Sequence, residues 1–345
     1  MRNGMNMSGL KLNNRAAVLS IINAQGPISR IDIARQTGLT AASLTQITAP
    51  LLKEGLLVET GKQELSAAGR RKVLLQLNEN YQLPLCVNID REQTVMTICS
   101  LKGMVIAQKR MHTSLEDPES FLKQTAAEIR KLIASLPEKK QREIKGISVG
   151  IAGALDREQG ISKKEGGLFG KDIPIQSILQ NETGLPVILE NNVDAFAQAE
   201  LLFGSGRKEN NLLVIKWGPG VGSAVIIHGE LYEGKGRQAE LGHILYPDGT
   251  DLEEHISTAA LKNKSQKELE NAAKELAVAI VNACMVLSPD HVILYGSLAC
   301  RDDNAQRAMN AVKAMDPDLA IQVSSLTAQE DWIGECAVYL RQKIF

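Results

Sequence analysis

With 345 residues, 44% of them hydrophobic and 3% aromatic, and a formal net charge of −1, the chain is long enough to bury cores in two or three domains. No apolar run reaches transmembrane length, and the first ten residues are polar and glycine-containing, unlike a signal peptide, so the sequence reads as cytoplasmic with no membrane partner. Five cysteines (Cys86, Cys99, Cys284, Cys300, Cys336) are scattered without a CxxC pair, which argues for reduced, mostly buried residues and against disulfides or a cysteine-rich metal site.

Residues 13–24 place Ala17, Val18, Ile21 and Ile22 at helical spacing, and Gln25-Gly26-Pro27 stops that helix. Ser29, with Asp32 three residues on, is a good N-cap for a second helix that ends at Thr37-Gly38. A third helix is predicted from Thr40 through about Glu54. Leu44, Ile47, Leu51 and Leu52 face inward, whereas Ala42, Ser43, Thr45 and Gln46 face outward. Small polar side chains on an outward face, beginning at Thr40, suit base edges in a major groove. Pro50 removes one backbone hydrogen bond and is expected to kink this helix or end its regular part.

Two short apolar runs, residues 56–58 and 73–77, then flank a loop that carries Gly69-Arg70-Arg71-Lys72, the pattern of a β wing. Its three adjacent cations suit an A/T-rich minor groove or the phosphates beside it; the alternative is a solvated hairpin tip. Charge partitions in the same sense. Residues 1–80 hold ten Lys and Arg against five Asp and Glu, whereas the rest of the chain holds 29 against 35.

After Asn78-Glu79-Asn80 the pattern changes to strands alternating with helices. LCVNID, TVMTICSL and MVIAQKRM read as a strand meander, and residues 118–136 as an amphipathic helix. GISVGIAG, PVILEN, the glycine-broken pair in LLVIKWGPGVGSAVII and HVILYGS read as further strands. Residues 265–287 form a long helix with Leu269, Ala272, Leu276, Ile280 and Cys284 on one face. This alternation, made twice over, implies an α/β body of two lobes with a cleft between them.

The chain resembles the ROK family of repressors and sugar kinases, from about residue 13 to Ile333-Gly334-Glu335-Cys336-Ala337 near its end. The resemblance implies an N-terminal winged helix-turn-helix over residues 1–78, followed by an actin-like, ribonuclease-H-like two-lobed body. Lobe 1 is expected over 79–190, rejoined by a helix at 330–345, and lobe 2 over 191–329. It also assigns motifs. The kinases' DxGGT phosphate hairpin matches Asp90-Arg91-Glu92-Gln93-Thr94, where both glycines are missing. Their E-N-D-x-N, whose Asp takes a proton from the attacking sugar hydroxyl, matches Glu190-Asn191-Asn192-Val193-Asp194. Asn192 is a neutral amide that accepts no such proton, and Asp194, two residues on, is expected to point away from a ligand set by Asn192. Trp217 to Gly222 matches the second glycine-rich phosphate loop, and Tyr295-Gly296-Ser297 the adenosine contact.

The family's sugar-facing ExGH resembles Glu240-Leu241-Gly242-His243, and Leu252-Glu253 resembles the end of its CxCGxxGCLE stretch. The cysteines of that stretch are absent, so no Cys₃His zinc site is expected. A hydrogen-bonding His243 is favoured over a metal site shared with His255. Phe169, in Gly166-Gly167-Leu168-Phe169-Gly170, either stacks on a sugar ring or fills the cleft.

The resemblance therefore implies a transcriptional regulator, a repressor of carbohydrate uptake or catabolism, without catalytic residues, cofactor or metal. Its partners are double-stranded operator DNA, read by Thr40, Ala42, Ser43, Thr45, Gln46, Arg70, Arg71 and Lys72, and a sugar or sugar-derivative effector held by Asn191, Asn192, Glu240, His243 and Glu253. It is expected to act as a homodimer or tetramer. The competing readings are a sugar kinase carrying a DNA-binding module and a regulator that answers to a protein partner.

Overall fold

The computed structural model describes residues 7–63, 72–234, 239–301 and 303–345. Helix α1 (Met7–Gln25) starts upstream of its expected position, and β1 (Ile28–Ser29) follows it. The Ser29 side chain accepts from the Asp32 N–H to cap α2 (Arg30–Thr37), which Gly38 closes at φ 69°. Thr40 caps α3 (Ala41–Glu54) in the same way through the Ser43 N–H, and Gly55 closes it at φ 81°.

Of the two outcomes expected at Pro50, a kink or an end to the regular part, the second does not occur: α3 runs through it to Glu54. Pro50 and Gln46, four residues earlier, are both exposed, so the carbonyl deprived of its donor faces water. Strands β2 (Leu57–Gln63) and β3 (Lys72–Leu77) form the antiparallel hairpin of the wing, with β1 on the far edge of β3. Three helices followed by this hairpin make a winged helix-turn-helix.

The body opens with β4 (Leu85–Ile89), β5 (Gln93–Cys99) and β6 (Val105–His112), then α4 (Pro118–Ala134), α5 (Glu138–Gln141) and β7 (Ile147–Ile151). A two-stranded hairpin of β8 (Gly153–Asp156) and β9 (Ile161–Gly167) precedes α6 (Ile175–Thr183), β10 (Val187–Asn191) and α7 (Asn192–Leu202). Next come β11 (Leu212–Trp217), β12 (Val221–Ile227), β13 (Glu230–Leu231), α8 (Leu252–Ile256) and α9 (Gln266–Leu287). The chain finishes with β14 (His291–Tyr295), α10 (Asn304–Met315), β15 (Ile321–Val323) and α11 (Ile333–Tyr339).

Two five-stranded sheets result, ordered β10-β7-β4-β5-β6 and β13-β12-β11-β14-β15. Each is an antiparallel three-strand meander to which two parallel strands are added beside its first strand. This repeated plan is that of a two-lobed, ribonuclease-H-like body. Helix α11 returns to the first sheet, packing on β4 and β7 as well as along α7. Among the described residues, no helix is long and apolar enough to cross a membrane.

Each sheet has its own core on its outer side, and a third core lies at the centre. The central one joins Val18, Leu19 and Ile22 of α1, Leu44 of α3 and Leu75 of β3 to Phe196 and Leu202 of α7 and to Tyr339 and Leu340 near the C-terminus. Three of the cysteines read as scattered meet here: Cys86, Cys99 and Cys336 are buried together, with the Cys86 and Cys99 sulfurs 3.8 Å apart. Phe169 lies in the first sheet's core against Phe121, ring centroids 6.3 Å apart, and does not line the cleft.

Candidate functional site

A cleft of about 1410 Å³ opens between the two sheets. Asp90 and Arg91 after β4, the β8–β9 hairpin, the first turn of α7, the β11–β12 loop and the segments carrying Glu240, His243 and Glu253 line it. All five residues expected to meet an effector are therefore brought together, yet their side chains are engaged differently.

Asn191 is the N-cap of α7: its Oδ1 accepts from the Val193 N–H at 2.8 Å and the Asp194 N–H at 3.2 Å, and its Nδ2 donates to the Gly153 carbonyl at 3.0 Å. It builds the cleft wall. Asn192 is buried, and its Nδ2 finds no acceptor among the described residues. Asn192 also lines the cleft, so a turn of its side chain would present this donor to a ligand oxygen. Glu253 Oε2 accepts from the Val221 N–H at 2.7 Å and so holds the glycine-rich β11–β12 loop. In that loop Gly222 is needed for close packing, since a Cβ there would come within 2.8 Å of Val193 on α7.

His243 is exposed, and its Nδ1 lies 2.8 Å from Asp251 Oδ2. That hydrogen bond, with Glu240 and Glu253 nearby, raises the imidazole pKa above its ordinary value against the opposing effect of partial burial. His255 is separately committed, stacked on Tyr246 and bonded to Thr250 at 2.9 Å and Glu275 at 3.2 Å. No group of three or more His, Cys, Asp or Glu suited to a metal ion occurs among the described residues.

Two ion pairs in the cleft were not foreseen. Arg157, at the tip of the β8–β9 hairpin, donates through Nε to Glu190 Oε1 at 2.7 Å and through Nη2 to Asp194. Asp194 thus lines the same cleft as Asn192, where the opposite orientation was expected. The end of α7 abuts the cleft, so its whole first turn faces inward, and Arg157 draws the carboxylate over. Burial pushes the Glu190 carboxyl above its ordinary pKa even against the pull of Arg157. The second pair joins the sheets: Lys216 Nζ of β11 lies 2.6 Å from Asp90 Oδ2 after β4. Burial alone would raise the Asp90 pKa, but the charge and hydrogen bond of Lys216 hold it below the ordinary value.

On the N-terminal domain, Ala42, Thr45 and Gln46 are exposed along one side of α3. Thr40 and Ser43 share a hydroxyl hydrogen bond of 2.9 Å at its start, and Thr45 Oγ1 donates to the Ala41 carbonyl at 2.9 Å. Lys72 turns back to Asp32 at 3.4 Å. Arg70 and Arg71 lie outside the described residues.

Residues 84–254 match the sequence profile of the ROK family. The chain is 31% identical over 236 residues to a xylose repressor of Caldicellulosiruptor bescii, a match covering 68% of this chain and 59% of that protein. It is 28% identical over 236 residues to the DNA-binding transcriptional repressor Mlc of Escherichia coli strain K12, covering 68% and 58%. The chain thus spans less than two thirds of the length of either relative.

Among solved structures, a ROK family transcriptional regulator described as a homologue of the E. coli Mlc protein superposes with a TM-score of 0.76 at 23% identity, over 96% of this chain and 97% of that one. A ROK family glucokinase from Streptomyces griseus, in complex with glucose and AMPPNP, gives 0.62 at 17% identity, over 74% and 98%. With the duplicated sheet plan, the cleft motifs and the profile match in agreement, residues 84–254 form a ROK family domain.

Proposed function

We propose that this protein is a sequence-specific DNA-binding transcriptional regulator, a repressor of carbohydrate uptake or catabolism genes, that binds a sugar or sugar derivative between its two sheets. One observation carries the reading: a winged helix with an outward polar face on α3 shares a continuous core with a body whose cleft gathers Asn192, Glu240 and His243. Relatives named as xylose repressor and as Mlc support it.

Kinase chemistry is disfavoured on two counts. Asn192 stands where a kinase of this family keeps its proton acceptor, and Glu92 and Gln93 stand where it keeps the two glycines that let backbone N–H groups approach phosphate. Asn192, Glu240 and His243 are the proposed effector contacts, with Asn191 and Glu253 holding the walls. The repressor acts as a homodimer, its two heads on half-sites about 34–36 Å apart or a multiple of that.

Binding of D-xylose, D-glucose or N-acetyl-D-glucosamine is expected as a rise in melting temperature, with saturation at ~100 times the dissociation constant adding ~2.7 kcal/mol. With DNA selected from a random pool by the protein, Glu240→Ala and His243→Ala are expected to bind as tightly as wild type without sugar and to melt normally, but not to release DNA when sugar is added. Normal release by both variants would remove the cleft from the sensing role.

Gln46→Ala is expected to flatten the preference for selected over random duplex by ~1–3 kcal/mol if its contact is bidentate. An unchanged preference, measured by competition titration, would take Gln46 out of the reading face.

A further inference from the structure

We infer that α7 carries the effector signal from the cleft to the DNA-binding head, and that Arg15 and Asn23 of α1 are the positioning residues that receive it; this rests on the sensor reading above. The first turn of α7 places Asn192 and Asp194 in the cleft, and its N-cap Asn191 is tied to the β8–β9 hairpin through the Gly153 carbonyl. Its other end, about 16 Å away at 1.5 Å per residue over 11 residues, is Leu202, whose carbonyl accepts from Asn23 Nδ2 at 3.4 Å.

Between these ends the helix has no soft side. Residues 192–200 and Leu202 are buried, against β10, β11 and β12 and along α11. Gly334 brings α11 so near that a Cβ there would stand 2.8 Å from the Phe196 nitrogen. A helix packed on all faces moves as a rigid body or not at all. The chain end beyond α11 is also held by α1, with Arg15 Nη1 donating to the Phe345 main-chain oxygen at 2.7 Å. Helix α1 therefore grips both α7 and the segment packed along it.

The Asn23 contact is built for exchange rather than for maximal stability. Its Oδ1 is buried without a partner among the described residues, beside an apolar core that would accept a leucine. In one arrangement of α1 on α7 the amide is half satisfied. An effector that favoured an arrangement in which Oδ1 gains a donor would bias the head.

The test is hydrogen exchange on the full chain, with and without whichever of D-xylose, D-glucose and N-acetyl-D-glucosamine raises the melting temperature. In wild type the sugar is expected to change exchange in α7 and in residues 14–25 of α1 by ~5-fold or more. In Arg15→Met/Asn23→Leu the α7 change should persist while the α1 change disappears, with the sugar-free melting temperature within a few degrees of wild type. Gln25→Ala, whose side chain pairs with Gln36 inside the head, should respond as wild type does. Asn23→Leu alone makes the same test if the double variant does not fold.

An α1 response that survives in these variants overturns the inference. So does a wild-type response confined to the cleft and α7, which leaves the sensor reading standing. Absence of any sugar-dependent change in melting or exchange overturns the sensor reading and this inference with it.

Discussion

Glu335→Gln is expected to stabilise the protein by ~3–5 kcal/mol at about pH 8.5 and to change its stability little near pH 5. Glu335 of α11 is buried beneath the first sheet, where Gly150 of β7 leaves room for its carboxyl and a Cβ would overlap it. Asn88 Nδ2 donates to Oε1 at 2.9 Å, whereas Oε2 has no partner among the described residues. Burial pushes the carboxyl pKa from 4.5 to about 8; the Asn88 hydrogen bond and Lys216 oppose the rise and Asp331 adds to it.

The sign follows from linkage. The folded state holds a proton between pH 4.5 and about 8 that the unfolded chain releases. The contribution is thus fully present below 4.5 and lost as pH rises through about 8. Glutamine keeps the shape and cannot ionise, so it removes the loss. Denaturant titrations of both proteins at the two pH values measure this, and a difference that does not vary with pH would show that Glu335 does not titrate in this window.

Arg157→Met is expected to cost ~3–5 kcal/mol at about pH 7, because it strips the counter-ion from two buried carboxylates. The side chains of Glu190 and Asp194 are 5% and 6% exposed, and Arg157 itself is only 22% exposed. Without the guanidinium the folded-state pKa of Glu190, already above its ordinary value, should rise further. The variant is then least impaired at acid pH, and loses stability as pH climbs past the ordinary carboxylate range. Arg157→Met combined with Glu190→Gln and Asp194→Asn should recover much of the loss. A single variant within ~1 kcal/mol of wild type at pH 7 would show that Arg157 is not the compensating charge.

What could be read from sequence was what local chemistry decides. Ser29 caps α2 through its own side chain, and Gly38 closes that helix in the left-handed region. Strands β4, β5, β11 and β12 are written in apolar runs, whereas the two-residue β13 carries no such signal. Strand β1 was missed because two residues carry no periodicity, and it exists only through pairing with Leu74 and Leu75. Arg157 was missed for a related reason: its partners lie 33 and 37 residues on, and only the β8–β9 hairpin brings them together. The fate of Phe169 and the meeting of Cys86, Cys99 and Cys336 depend likewise on tertiary packing, which spacing does not encode.

The central core bears on whether the two parts of this protein can be taken apart and recombined. Val18, Leu19 and Ile22 of the head pack into the same apolar mass as Phe196, Leu202 and Tyr339 of the body. A cut near residue 78 would leave matching oily faces open to water on both pieces, so this head is not a cassette to be lifted out. A chimera that moves this N-terminal domain onto another body must graft the surface of α7 and the C-terminal segment with it.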